Sequence, residues 1–211
     1  CKKLIKEKIP FSASVMFACP WYQEAVEILG QNEQVSVGVH LPLNSEWKNY
    51  RWGPVLGKAG VPTLVDSLGY FHPSRSKFFG NNPDPAEVEA ELRAQIQTAF
   101  KAGLKPDYLD YHMGTAVQTP EMRKIVEKLA KEFGLGISRY FSEWDMDKIY
   151  DDPIGSKLDS MMVYLDRIDN EKINLLVCHV GLDDPELRSM DDLNEFGLKE
   201  MSRHRQAELE V

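Results

Sequence analysis

The stretch PDYLDYHMGT, residues 106–115, decides how this chain folds. It predicts a short strand that ends at His112, with Asp110 and His112 on one face because side chains alternate along a strand. Thr119 and Pro120 then predict a helix start, as N-cap and first helical residue. A polar strand end that leads into a helix is where α/β proteins place chemistry. Taken alone, His112 could equally be a hydrogen-bonded core histidine.

Two more histidines end apolar runs of the sequence. His40 lies at the end of residues 35–41, and His179 at the end of residues 173–180. If the three strands are parallel, the three histidines emerge on one rim. Imidazole is the commonest metal ligand in proteins and a general acid or base near neutral pH. The shared position therefore predicts a metal or acid–base site.

Strand-like and helix-like patterns alternate along the chain, which indicates an α/β fold with a parallel sheet, either a barrel or a doubly wound sheet. The strands are expected within 11–18, 35–41, 106–115, 135–138 and 173–180, and the helices within 20–30, 85–103, 120–133, the second half of 145–169, and 202–211. Five strands are too few for a regular closed barrel, so the barrel is irregular or the domain is partial. In the fourth helix, a stripe at helical spacing is expected to face the core, and it consists of Leu158, Met161, Met162 and Leu165.

Residues 43–82 follow no periodic pattern and are rich in Gly, Pro and aromatic residues. A loop of this length in a compact domain suggests a functional role. Trp47, Tyr50 and Trp52 lie just past His40 and are expected to stack on sugar rings, with packing over the rim as the alternative. Arg139 follows a strand end and could hold a substrate group or form a structural ion pair.

Composition limits the classes of partner. The 211 residues are 43% hydrophobic and have a net charge of −8, with no basic patch. Nucleic acids and acidic membranes are therefore poor partners, and a neutral or cationic substrate suits the surface. No apolar run approaches the roughly 20 residues of a membrane span.

The cysteines favour a reducing compartment. Cys1, Cys19 and Cys178 show no C-x-x-C spacing and no even framework, and Cys178 is expected to be a buried strand residue. A cytoplasmic location is therefore expected. Because the sequence begins at Cys1, an exported, periplasmic or lipid-anchored protein is the alternative.

Five segments in this order are similar to the YdjC-like carbohydrate deacetylase family, which includes chitooligosaccharide deacetylases. They are SASVMFACPW, GVHLPLNSEW, YRWGPVL, DYHMGT and LLVCHVG. The resemblance runs from Phe11 to the C-terminus. It implies an irregular (β/α) TIM-like barrel and a single deacetylase-like domain over residues 1–211.

The resemblance also implies a mechanism. The family uses one divalent metal ion, Zn or Mg, held by one Asp and two His, to remove acetyl groups from N-acetylated sugars. By motif, the ligands fall on His40 and His112, and His179 matches a plausible active-site acid. Asp110, two residues before His112, could orient a ligand, or it could be a carboxylate paired with a Lys or Arg. A homodimer is compatible with this assignment.

The sequence departs from the family in one respect. No Asp-Asp-x-Gly segment, which supplies the family's metal Asp and proposed base, precedes Cys1, and the family continues past Val211. The chain thus resembles a member trimmed at both ends. Two alternatives follow: a non-catalytic carbohydrate-binding protein without the Asp pair, and a metal hydrolase of a non-sugar amide or ester.

Overall fold

The computed structural model separates the chain into two compact units. It describes residues 1–145, 147–195 and 197–211. The first unit consists of residues 1–46 and 51–138, and the second of 47–50 and 139–211. The sheet that orders the predicted histidines at 40 and 112 belongs to the first unit.

A parallel sheet forms the centre of the first unit. In spatial order its described strands are β1 (Ser12–Val15), β2 (Ser36–Leu41), β3 (Tyr108–Tyr111) and β4 (Gly136–Ile137). Every neighbouring pair is parallel, which confirms the predicted α/β class with parallel strands. Because parallel strands end at the same edge, the residues that follow β1, β2 and β3 lie at the carboxyl edge of the sheet. In the register, His40 is paired with Asp110.

The longest helices of this unit begin and end where their sequence signals predict. Asp84 and Thr119 cap α5 (Pro85–Lys101) and α6 (Pro120–Phe133), each accepting a backbone N–H, and a proline follows each cap. Gly134 ends α6 in the left-handed conformation. No helix among the described residues is long and apolar enough to cross a membrane. The helices of the unit are α1 (Lys2–Lys6), α2 (Tyr22–Gly30), α3 (Gly57–Gly60), α4 (Arg75–Gly80), α5 (Pro85–Lys101) and α6 (Pro120–Phe133).

Residues 43–82 are ordered by their own short elements and by side chains of α5. The segment contains α3, α4, a 3-10 turn at Pro62–Leu64 and an antiparallel bridge between Val65 and Phe71. The fully buried carboxylate of Glu91 on α5 accepts the backbone N–H groups of Val55 and Leu56 at 2.9 and 3.0 Å. Phe71 itself is fully buried. The segment is therefore packed against the unit rather than structureless.

Gly38 on β2 allows a close approach of the neighbouring strand. The ring of Tyr108 on β3 lies so near the Gly38 backbone that a Cβ at position 38 would overlap it. Glycine inside a strand often marks such an approach. The pair lies two residues before His40 and Asp110, so it helps to fix the spacing of the strands that position them.

The second unit contains less regular structure than predicted. Its strands β5 (Trp144–Asp145) and β6 (Asn174–Leu175) are two residues long and parallel. The predicted strand at 173–180 is thus limited to β6, and the rest of the run is irregular, so His179 lies four residues past the strand. The helices of this unit are α7 (Lys157–Leu165), α8 (Pro185–Arg188) and α9 (Met201–Glu210), with 3-10 turns at Asp147–Tyr150 and Ile154–Ser156.

The apolar stripe predicted to face the core on α7 is largely exposed. Leu158, Met162 and Leu165 are 54%, 52% and 47% exposed. The residue of α7 that is buried is Lys157, which is inaccessible to solvent and donates to the carbonyl oxygens of Ile149 and Tyr150. The prediction was wrong because helical spacing shows which residues share a face but not which face is covered. Cys178, predicted to be buried, is also exposed, since it lies beyond the end of β6.

Candidate metal centre

Strand pairing brings His40 and Asp110 together at the carboxyl edge of the sheet. The two residues are register partners on β2 and β3. The Nδ1 atom of His40 lies 2.7 Å from Oδ1 of Asp110. The other carboxylate oxygen accepts the hydroxyl of Ser14, on β1, at 2.8 Å. Three neighbouring strands therefore hold the His40 ring in one orientation.

A backbone turn places His112 beside His40. β3 ends at Tyr111, and the chain enters a 3-10 segment, His112–Val117, in which Met113 and Gly114 adopt positive φ angles of 50° and 72°. This turn directs the chain away from the sheet immediately after the histidine. The Nε2 atom of His112 lies 2.8 Å from Oε2 of Glu46. His112 is thus held by a carboxylate from the segment that follows β2.

The inner nitrogens of the two rings face each other. Nε2 of His40 is 3.3 Å from Nδ1 of His112, while the outer nitrogen of each ring contacts a carboxylate. Two nitrogen ligands of a tetrahedral zinc ion, at about 2.0–2.1 Å each, lie roughly 3.3–3.4 Å apart. Carboxylates behind metal-binding histidines are a recurrent arrangement that fixes the ring orientation. The pair therefore fits two positions of a metal site.

The described residues supply this pair but not a larger ligand set. In residues 1–145, 147–195 and 197–211, no group of three or more His, Cys, Asp or Glu side chains is arranged to hold a metal ion. An ion at the His40–His112 pair would take its other ligands from water, substrate or further residues. The side chains at the pair are partly accessible, at 24% for His40 and 16% for His112.

Trp52 is a core residue against His112. Its side chain is 4% exposed, and its ring packs edge-on to the imidazole with centroids 5.7 Å apart. Its backbone N–H donates to the hydroxyl of Ser45, and its carbonyl accepts the N–H of Phe71. The residue expected to stack on a sugar is therefore largely buried, which favours the packing alternative for Trp52.

Polar side chains next to Glu46 form hydrogen bonds beside the His40–His112 pair. The fully buried Asn44 donates to Oε2 of Glu46 at 3.4 Å and to Sδ of Met113 at 3.0 Å, and it accepts the hydroxyl of Thr115 at 2.7 Å.

Burial, and then the Glu46 carboxylate, raises the pKa of the Cys19 thiol to about 12. Cys19 is therefore a neutral thiol at physiological pH, which makes it a poor nucleophile or metal ligand.

The remaining predicted residues belong to the second unit. His179 is exposed, its backbone N–H donates to Oε2 of Glu208 at 2.6 Å, and its ring centroid lies 4.5 Å from that of Tyr150. Arg139 adopts a positive φ of 67°, and its N–H donates to Glu143. The predicted roles of His179 as an acid and of Arg139 in substrate binding stay predictions.

Trp47 and Tyr50 pack within the second unit. Trp47 forms an antiparallel bridge with Asp192, and its ring lies 6.3 Å from Tyr50 and 5.4 Å from the guanidinium of Arg205. The three aromatic residues predicted to line a sugar site are therefore divided, since Trp52 belongs to the first unit. Sugar stacking by any of them stays a prediction.

Glu46 is the site residue that the sequence reasoning missed. It lies five residues after β2, in a stretch without strand or helix periodicity, and it contacts a histidine 66 positions away. One signal could have drawn attention to it, namely an acidic residue within an otherwise uncharged run, LPLNSEW, directly after His40.

The chain is similar to several known proteins. A family model described as YdjC-like protein matches residues 1–211. A carbohydrate deacetylase of Listeria welshimeri is 29% identical over 182 residues, covering 85% of this chain and 68% of that protein. A carbohydrate deacetylase of Enterococcus faecalis is 29% identical over 151 residues, which cover 70% of this chain. A carbohydrate deacetylase of Thermus thermophilus is 38% identical over 99 residues, which cover 47% of this chain. The chain spans 55% and 35% of the lengths of those two relatives.

A solved structure shows the same fold. The crystal structure of an Enterococcus faecalis protein, described as a candidate for cellobiose-phosphate cleavage, superposes with a TM-score of 0.75. The match covers 94% of this chain and 78% of that chain at 22% sequence identity. At this level of identity the likeness concerns the fold alone, and it is consistent with a TIM-like arrangement.

Proposed function

Because the chain belongs to the YdjC-like protein family, we propose that it is a metal-dependent hydrolase that removes acetyl groups from N-acetylated sugars. Several relatives are named carbohydrate deacetylases. The observation that supports the proposal most directly is the pair of facing nitrogens on His40 and His112, 3.3 Å apart. A carboxylate behind each ring prepares both nitrogens to bind one cation.

The donor set favours zinc over magnesium. Imidazole nitrogen is a good ligand for zinc, whereas magnesium prefers oxygen ligands and keeps several waters. When bound, the ion would supply Lewis acidity that activates water and polarises the acetyl carbonyl. Zinc is therefore the proposed metal, with magnesium as the second candidate.

The residues of this chain have separate tasks in the proposed reaction. His40 and His112 hold the ion through their facing nitrogens, and Asp110 keeps the His40 ring in place. Hydrolysis of an amide releases an amine, which must gain a proton as it leaves. We assign that proton to His179, because imidazole is a suitable acid near neutral pH.

The substrate is proposed to be a neutral sugar of the chitooligosaccharide type. The net charge of −8 favours a neutral or cationic ligand over an anionic one. Trp47, Tyr50 and Trp52 remain the proposed aromatic contacts, although the burial of Trp52 leaves little of its ring for a sugar. Arg139 is proposed to hold a sugar hydroxyl.

The direct test is acetate release from diacetylchitobiose by the 211-residue chain. The protein is treated with a chelator, dialysed, and assayed with added zinc, added magnesium or neither. Acetate release that depends on the added metal supports the proposal. For the His112→Ala variant in the same assay, the matched control is His72→Ala, because His72 lies in the same unit and outside the His40–His112 pair.

Other results identify the alternatives. Hydrolysis of a simple aryl acetate or acetanilide without hydrolysis of the sugar would point to a metal hydrolase of non-sugar substrates. Sugar binding detected by calorimetry, without acetate release under any metal condition, would point to a carbohydrate-binding protein.

A further inference from the structure

Glu46 is a buried carboxylate that contacts a candidate metal ligand. The residue is 7% exposed, and Oε2 lies 2.8 Å from Nε2 of His112. Asn44 also donates to that oxygen, at the longer distance of 3.4 Å. Burying a carboxylate is unfavourable unless a donor compensates for the lost water. The short contact with His112 compensates for part of this loss.

The two carboxylates of the site select different tautomers of the two rings. An ionised carboxylate can only accept a hydrogen bond, so the ring nitrogen that contacts it must carry the proton. For His40 that nitrogen is Nδ1, at Asp110, and for His112 it is Nε2, at Glu46. In neutral imidazole the other nitrogen then has a lone pair. The unprotonated atoms are Nε2 of His40 and Nδ1 of His112.

This assignment has a consequence for the space between the rings. The two unprotonated nitrogens are 3.3 Å apart, and two acceptors at that distance repel each other. A cation between them removes the repulsion. The opposite tautomer of either ring would point an N–H into the same space and would exclude a metal ion.

We infer that Glu46 is a positioning residue that holds His112 in its Nε2–H tautomer, so that the two histidines bind the ion through opposite ring nitrogens. The inference rests on the proposed function for its metal, but the tautomer itself does not depend on bound metal. Glu46 has the same relation to His112 as Asp110 has to His40, and it comes from a different part of the chain.

The experiment measures the tautomer in the metal-free 211-residue chain. Long-range ¹H–¹⁵N correlation spectra of the imidazole nitrogens, at a mildly alkaline pH where neutral histidine predominates, distinguish Nε2–H from Nδ1–H. Spectra are recorded for the wild type, Glu46→Ala, Glu46→Gln and a control, Glu91→Gln. Glu91 is also buried in the same unit, but its carboxylate accepts backbone N–H groups and an amide.

The expected result is an Nε2–H tautomer of His112 in the wild type, in Glu46→Gln and in the control, and a mixture in Glu46→Ala. The amide oxygen of Gln can still accept the Nε2–H bond, so this variant should restore the tautomer. Zinc affinity, measured by calorimetry, should fall roughly 10- to 100-fold in Glu46→Ala, as is usual when a residue behind a ligand is lost.

Two results would overturn the inference: an Nδ1–H tautomer of His112 in the wild type, or an unchanged Nε2–H tautomer in Glu46→Ala. If Glu46→Ala does not fold, the wild-type spectrum still decides. A failure of the proposed function gives a different result, since the wild type would then show the expected tautomer and no zinc binding.

Discussion

Nε2 of His40 lies 3.3 Å from Nδ1 of His112, although 72 positions separate the two residues in the sequence. Their proximity follows from the backbone of two neighbouring parallel strands, β2 and β3. The strands keep this spacing through main-chain hydrogen bonds, which do not depend on either imidazole. Replacing one of the two imidazoles should therefore remove metal binding without a large loss of stability.

His112→Ala is the variant that tests this separation. We expect loss of zinc binding by calorimetry and loss of metal-dependent acetate release, because one of the two nitrogens is gone. The urea midpoint should change less than in a core truncation, since the ring lies at the partly accessible edge of the sheet. His72→Ala, the control, should bind zinc like the wild type. Wild-type turnover in His112→Ala would refute the ligand role.

Trp52→Ala should chiefly affect stability. The side chain is 4% exposed, and truncation of a buried Trp typically lowers the free energy of unfolding by about 3–5 kcal/mol. Urea denaturation measures the change. The control is Trp21→Ala, whose side chain is 60% exposed and whose loss should cost less than about 1 kcal/mol. Unchanged stability with a several-fold higher KM for diacetylchitobiose would instead show that Trp52 contacts the sugar.

Glu91 should make the stability depend on pH. Burial raises the pKa of this carboxyl above its ordinary value of 4.5, so the native state holds the proton more tightly than the unfolded chain does. As pH rises from about 4.5 through the raised pKa, the unfolded state loses its proton first, and the contribution of Glu91 to the free energy of unfolding falls.

The measurement is a series of urea titrations across the mildly acidic range. Glu91→Gln should flatten the decrease of stability with pH in that window. Glu89→Gln is a control on the same helix with the opposite sign, because hydrogen bonds from Lys128 and Arg93 lower the pKa of Glu89. An identical pH profile for Glu91→Gln and the wild type would contradict the prediction.

Lys157 and Glu208 form a buried ion pair in the second unit. Both side chains are inaccessible to solvent, and Nζ of Lys157 lies 3.5 Å from Oε1 of Glu208. Removing one member of such a pair leaves an uncompensated charge, which typically costs about 3–5 kcal/mol. We expect Lys157→Met to be strongly destabilising in urea titrations, and Lys157→Met with Glu208→Gln to cost clearly less than the sum of the single variants. Additive effects would show that the two charges do not interact.

Local signals in the sequence were sufficient for much of the first unit. Asp84-Pro85 and Thr119-Pro120 are capping pairs, and both helices begin there. Alternation of strand and helix predicted the parallel pairing, and the shared strand ends placed His40 near His112. These predictions succeeded because caps and strand pairing depend on neighbouring residues and on general rules of chain connection.

Contacts between distant and aperiodic segments could not be predicted in this way. Glu46 contacts His112 from a segment without periodicity, and Trp52 is buried although it lies in an aperiodic loop. On α7, the spacing of Leu158 and Leu165 was clear, but whether anything covers that face depends on the arrangement of other elements. Burial and partner choice are properties of the folded unit rather than of a local pattern.

The close approach of Tyr108 to Gly38 limits the order in which these strands can change during evolution. Any side chain at position 38 would overlap the Tyr108 ring, so a single replacement there is disfavoured while the tyrosine is present. A smaller residue at position 108 would have to appear first, and a larger residue at position 38 could then fill the space. Position 38 is therefore expected to change only where position 108 already holds a smaller residue, so the path between two equally stable pairs runs through only one of the two single variants.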